Sequence, residues 1–205
     1  MPVPDIYFSS DDGLAETRHV FLRGNGLPER WNDRSEFIVA ELGFGTGLNL
    51  LALALLSPPG LLYQSVEWAP LPVERLWTHV ERWPELVVPV QKLAEVYNPQ
   101  PGWNRWRWPW GEIVLYVGDA RELPAQRPTF EPADAWFLDG FASDRNPELW
   151  DLQLLQWVGQ TTRPGATVAT YSSAGLVKRG LRDAGFTVTR CPGYGNKRHM
   201  VRGVR

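Results

Sequence analysis

The sequence predicts an α/β protein of Rossmann-like type, a mostly parallel seven-stranded sheet with helices on both faces. Three observations carry that reading. Short apolar runs of strand length alternate with apolar or amphipathic segments of helix length. The first strand-like run leads into a glycine-rich turn, Gly43-Phe44-Gly45-Thr46-Gly47, that opens a helix. Acids stand at the ends of the strand-like runs, as Glu41, Glu67, Asp119 and Asp139, where ligands bind in open α/β sheets.

Residues 1–36 are polar and turn-rich and read as an N-terminal extension within one domain spanning 1–205. Ser9-Ser10-Asp11-Asp12-Gly13 marks a turn or helix start, with Glu16 near the first turn and a short helix through Thr17 to Leu22. Glu36 to Leu42 is an apolar run ending at glycines, hence a buried strand. Leu48 to Leu56 lacks β-branched residues and reads as a buried helix stopped by Pro58-Pro59-Gly60. Leu61 to Val66 is a strand ending at Glu67, and Pro72 to Trp83 an amphipathic helix with proline in its first turn. A further helix covers Val90 to Tyr97. Asn98 to Gly111, dense in Trp, Pro and Arg, reads as a loop. Strands follow at Glu112 to Val117, Ala133 to Leu138 and Ala166 to Tyr171. Helices cover Pro147 to Val158 and Ala174 to Ala184, the latter closed by Gly185. Phe186 to Arg190 and His199 to Val204 read as a final antiparallel pair.

Composition narrows the function classes. The single cysteine, Cys191, excludes a disulfide framework and a multi-cysteine zinc site, and fits a reducing cytoplasm. His19, His79 and His199 do not pair at ligand spacing, so no metal is expected. The longest apolar run, Leu50 to Leu56, is too short to cross a bilayer, and the N-terminus lacks the pattern of a signal peptide. A net charge of −2 hides an asymmetry: Lys178 to Arg205 carries eight Lys or Arg and one acid, Asp183, leaving the rest of the chain strongly acidic. That end of the chain suits an anionic partner, or is a solvated basic surface.

The glycine turn is the strongest local signal. Alternate glycines let the backbone turn sharply and approach a ligand, and the helix beyond offers unpaired N–H groups. The spacing is not that of dinucleotide binders, and no Lys-Ser or Lys-Thr makes it a P-loop. Glu41 just before the glycines suits a cationic ligand better than a pyrophosphate, and a sulfonium bearing an amino group meets that requirement. Glu67, 20 residues after Gly47, stands where an acid accepts from ribose hydroxyls. Asp119 is placed to accept from an adenine amine, and Asp139 to meet an acceptor substrate at the sheet edge. Each alone also reads as a strand-end carboxylate or turn-former.

The runs Phe8 to Arg18, Glu41 to Asn49, Asp134 to Ala142 with Asn146-Pro147, Gly175 to Phe186 and Gly193 to Met200 together resemble a known family. It is the methyltransferase half of the bifunctional enzyme that makes 5-methylaminomethyl-2-thiouridine in tRNA. The resemblance spans nearly the whole chain. It implies a class I methyltransferase that converts 5-aminomethyl-2-thiouridine at the wobble position to the methylaminomethyl form, with S-adenosylmethionine as cofactor and the tRNA anticodon loop as partner. The FAD-dependent oxidase half of the bifunctional proteins is absent, so a stand-alone form is expected. Trp68, where the family often has Lys, and Ser143, where it often has Pro, depart from the pattern.

On this reading Glu41, Gly43, Phe44, Gly45, Gly47, Asn49, Glu67 and Asp119 form the cofactor site. Asp139 orients the acceptor amine and handles its proton, while Phe141 and nearby tryptophans desolvate it. Lys178, Arg179, Lys197 and Arg198 contact the tRNA backbone. The segment Trp103 to Trp110 interleaves aromatics with cations and offers a second RNA contact, although packing over the sheet is the simpler reading of it. Two other functions stay open: a same-fold transferase acting on a small amine or carboxylate, and a nucleotide-binding module without catalysis.

Overall fold

The structure, a computed structural model, describes residues 12–58, 60–126, 129–140 and 150–205. Ser9 to Asp11, Phe141, Ser143 and Asn146-Pro147 lie outside the described residues. Helix α1 (Gly13–Thr17) runs into a π-helical turn, Arg18–Leu22, and two short 3-10 turns. Strand β1 (Phe37–Leu42), helix α2 (Leu48–Ala54) and strand β2 (Leu61–Glu67) form the first βαβ unit. Helices α3 (Val73–Val80) and α4 (Val87–Ala94) precede strands β3 (Gly102–Trp108) and β4 (Gly111–Val117). After β5 (Ala133–Leu138) come α5 (Leu152–Gln160), β6 (Thr162–Thr170), α6 (Gly175–Asp183), β7 (Thr187–Pro192) and β8 (His199–Val204).

The strands form one sheet in the order β3-β4-β2-β1-β5-β6-β8-β7. The pairs β1–β2, β1–β5, β2–β4 and β5–β6 are parallel; β3–β4, β6–β8 and β7–β8 are antiparallel. Successive side chains of a strand point to opposite faces, and the two cores follow that alternation. Phe37, Val39, Tyr63 and Phe137 pack against α2, α3, α4 and the N-terminal turns. Ile38, Ala40, Leu42, Trp136 and Leu138 pack against α5 and α6. Helices on both faces are thus as the apolar pattern predicts. Among the described residues no helix is long and apolar enough to cross a membrane.

Two expectations need correction. The sheet has eight strands, not seven, because Gly102–Trp108 of the tryptophan-rich segment is a strand at the sheet edge. Trp103 tilts against Tyr116 and Phe130, while Trp106 meets Tyr97 and Trp108 meets Trp110. Trp103 therefore packs on the second core and Trp106 and Trp108 on the first, and Arg105 and Arg107 both bind Glu112 of β4. Alternating Trp and Arg was a period-2 strand pattern that the flanking Pro and Gly residues disguised. From Gly13 onward the N-terminal segment is also more than an appendage. Leu14, Val20, Phe21, Leu22, Leu27 and Trp31 are buried in the first core, and Arg34 clasps the buried Asp134 of β5 at 2.9 Å.

Candidate active site

The chain runs from β1 outward through β2 and β4, then returns to the other side of β1 with β5. Connections leave β1 in opposite directions there, which opens a crevice at the carboxyl ends of the strands. Parallel register aligns those ends: Leu42 lies beside Val66 on one side and Leu138 on the other. The glycine turn, Glu67 and Asp139 therefore gather at one edge.

The turn is held from below and from the side. Gly43 and Phe44 donate their N–H groups to the Val66 carbonyl, and Gly45 donates to Glu67 Oε2 at 2.9 Å. Gly43 has φ +91, and a Cβ there would stand 3.3 Å from the Asp139 carbonyl oxygen. Gly47, at φ +70, is the left-handed residue preceding α2, and a Cβ on it would press the Phe44 ring. Phe44 is itself buried and stacks on Tyr97, ring centroids 5.7 Å apart. The loop sequence is thus required by backbone approach at both ends.

Below the turn lies a buried polar network. Glu41 follows Phe37 and Val39 onto the α2 face of the sheet and is 1% exposed. Its Oε1 accepts from Asn49 Nδ2 at 2.7 Å, and its Oε2 accepts from the Tyr63 and Ser65 hydroxyls. The second Asn49 N–H donates to Asp139 Oδ2 at 2.7 Å, and Asn49 Oδ1 accepts from Thr17 Oγ1 at 2.9 Å. One amide on the first turn of α2 thereby bridges two carboxyl groups. Burial, then the nearby Asp139, pushes the Glu41 carboxyl well above the ordinary range, against the hydrogen bonds it accepts. Burial also pushes Asp139 up to about 7, with Glu16 adding to the rise and Asn49 and Lys197 opposing it.

Glu67 ends β2 half-buried and also accepts from Ala69 N at 3.0 Å. A carboxylate with two backbone donors keeps acceptor capacity for hydroxyl groups. Beside it Trp68 is 70% exposed. Asp119 is otherwise engaged: Arg121 grips both its oxygens, and that ion pair holds its carboxyl below the ordinary range. The two basic pairs part company. Arg179 and Arg198 are exposed and Lys178 half-exposed, and none forms an ion pair within the described residues. Lys197, exposed as well, is paired: its Nζ lies 2.6 Å from Glu16 Oε1 and 4.0 Å from the centre of the Tyr171 ring.

Sequence reasoning missed several of these groups. Glu16 and Thr17 lie in a segment that reads as an N-terminal extension, and Tyr63 is an unremarked aromatic inside a strand. Tyr97 sits on the connection beyond α4, buried with its hydroxyl lacking a hydrogen-bond partner among the described residues. Burial and the nearby Glu67 raise its pKa. The strand period places Glu41 on the same face as Phe37 and Val39, which is the one signal that it points toward α2. Among the described residues no group of three or more His, Cys, Asp or Glu is arranged to hold a metal ion.

The residues present suit S-adenosylmethionine. An acid free to accept from hydroxyls, a glycine turn admitting close backbone approach and a partnerless buried hydroxyl stand along one edge.

Comparison with known proteins agrees with this geometry. The family described as S-adenosyl-L-methionine-dependent methyltransferase matches residues 91–205, more than half of the chain. The chain is 42% identical over 209 residues to the tRNA 5-methylaminomethyl-2-thiouridine biosynthesis bifunctional protein MnmC of Nitrosospira multiformis, covering 97% of this chain and 34% of that protein. The protein of the same name from Chromohalobacter salexigens is 42% identical over 210 residues, covering 97% of this chain and 30% of the relative. The chain thus spans about a third of the length of these relatives. The crystal structure of MnmC2 from Aquifex aeolicus shares the fold, with a TM-score of 0.76 at 23% identity, over 96% of this chain and 62% of that one.

Proposed function

This chain belongs to the family of S-adenosyl-L-methionine-dependent methyltransferases, and we propose that it methylates the amine of 5-aminomethyl-2-thiouridine at the wobble position of tRNA. The relatives named for 5-methylaminomethyl-2-thiouridine biosynthesis supply the substrate. The observation that carries the chemistry is Asp139, a carboxyl of raised pKa set against the glycine turn at the crevice of the sheet.

The bound cofactor supplies an activated methyl group. The chain's residues hold the reactants and manage one proton. Gly43, Gly45 and Gly47 provide close backbone approach, Glu67 accepts from the ribose hydroxyls, and the exposed Trp68 offers a flat face to the adenine. Tyr97 is a further cofactor contact, through its partnerless hydroxyl. Asp119 serves the adenine amine only if Arg121 moves aside. Glu41 acts through Asn49 and not by touching the ligand, since it is sealed from solvent at 1% exposure. Asp139 receives the acceptor as an ammonium, orients it and takes its proton, so that the nitrogen lone pair is exposed for attack.

The half-exposed Lys178 and the exposed Arg179 and Arg198 stand free to meet tRNA phosphates. A tRNA substrate sets the reaction in the cytoplasm. The test is incubation with methyl-labelled cofactor and tRNA bearing 5-aminomethyl-2-thiouridine, followed by nucleoside analysis. Label in 5-methylaminomethyl-2-thiouridine is expected; cofactor binding without any transfer would overturn the proposal.

A further inference from the structure

Asp139 stands in a closed ring of contacts that joins the two ends of the described chain. It accepts from Asn49, which in turn accepts from Thr17 on α1. Beside Thr17, Glu16 is 9% exposed and accepts from Lys197 Nζ. Lys197 lies in the turn between β7 and β8, and its ammonium rests over the Tyr171 ring. The Tyr171 hydroxyl donates to the carbonyl of Gly140, the residue after Asp139, and closes the ring.

We propose that Glu16 and Lys197 are positioning residues of the transfer step, an ion-pair clasp that closes the ring around Asp139 and sets an acid and a cation together beside it. The inference rests on the reading of Asp139 given above. An exposed ion pair contributes little; here Lys197 is 42% exposed along its side chain but Glu16 only 12%, and the field acts on a third, partly buried carboxyl. Charges so placed interact far more strongly than across water. Among the described residues the titratable groups coupled to Asp139 are Glu16 from α1, Glu41 from β1, Tyr63 from β2 and Lys197 from the β7–β8 turn. Of these Glu16 raises the proton affinity of Asp139 and Lys197 lowers it, while Asp139 raises that of Glu41 and Tyr63. On this proposal Lys197 serves the site through Glu16, whereas its place in a basic run of sequence suits the tRNA backbone.

The test compares E16Q, K197M and K197R by following the Asp139 carboxyl in carbon-13 NMR, with its signal assigned by its loss in D139N. K197M leaves Glu16 charged and alone, so the Asp139 midpoint moves up, by roughly one unit. E16Q leaves the cation alone, so the midpoint moves down. K197R restores the wild-type value. The acid limb of kcat against pH follows the same shifts. A merely structural clasp would move both variants the same way, or neither, and either result overturns the proposal. So would a K197M variant whose sole change is a weaker salt dependence of tRNA binding. If K197M fails to fold, E16Q and K197R carry the test. The NMR readout needs no tRNA, so opposite shifts in an enzyme that leaves tRNA unmethylated would fail the proposed function and keep the clasp. Unmoved midpoints in an active enzyme would do the reverse.

Discussion

Replacing Asp139 by Asn should abolish methyl transfer yet stabilise the protein at alkaline pH. In the folded chain the Asp139 carboxyl titrates near 7 against an ordinary value of 3.8. Between those values the native state keeps a proton that the unfolded chain has released. Stability therefore falls as pH rises across that window, by about 1.4 kcal/mol per unit, and is level above it. Three units give about 4 kcal/mol as an upper figure, because Asp139 keeps a partly open edge. The substituted amide retains an oxygen for the Asn49 donor and carries no charge, so the variant escapes that loss. Urea unfolding of both proteins from pH 4 to pH 8.5 measures the difference directly. The variant should gain on the wild type steadily up to about pH 7 and stay ahead beyond it, by roughly 2–4 kcal/mol. A difference that does not change with pH would show an ordinary carboxylate, and the argument for Asp139 as proton acceptor would go with it.

Glu67→Ala should weaken cofactor binding in calorimetry by about 10- to 100-fold, the range for lost hydrogen bonds to a charged group; unchanged affinity in a folded variant would remove Glu67 from the site. Tyr97→Phe deletes a hydroxyl that is buried without a partner, so the ligand-free protein should melt no lower than wild type while cofactor affinity falls; a lower melting temperature with normal affinity would make the hydroxyl structural. Arg198→Ala should flatten the plot of log tRNA affinity against log salt by roughly 0.7 to 0.9 per lost contact, with cofactor affinity unchanged; a parallel plot would clear Arg198 of phosphate contact.

Most of the fold was legible because its signals are local. The apolar runs of β1, β2 and β5, the glycines before α2 and Gly185 after α6 each act within a few residues. The failures share a cause in tertiary context. Trp103, Trp106 and Trp108 alternate as a strand should, but strand formation at an edge depends on β4 being there to pair with. Glu16 and Thr17 carry no local mark of function, since what matters is that α1 lies against α2, a contact between residues 32 apart. Lys197 shows the same limit from the other side. Arg198 beside it is basic too, and the Glu16 that Lys197 pairs with, which no local signal announces, is 181 residues away. Glu67, Asp139 and the glycine turn were readable because parallel sheets bring strand ends to one edge whatever the rest of the chain does.

On the proposed reaction the site must strip a proton from an alkylammonium, and it groups three acids with one cation. A free amine of the lysine type holds its proton to about pH 10.4. Passing it to an ordinary aspartate would be uphill by about 9 kcal/mol, whereas passing it to a carboxyl titrating near 7 is uphill by about 5. Burial alone would achieve that rise, but a neutral Asp139 would bind an ammonium poorly and could not accept its proton. Asn49 answers this requirement by donating to Asp139 and Glu41 together. Glu41, sealed from solvent, is likewise held well above the ordinary carboxylate range, by burial first and then by Asp139. Glu16 is balanced by Lys197. The carboxyl pushed up to about 7 is the one at the partly open edge of the crevice, where on the proposed reaction the acceptor would enter.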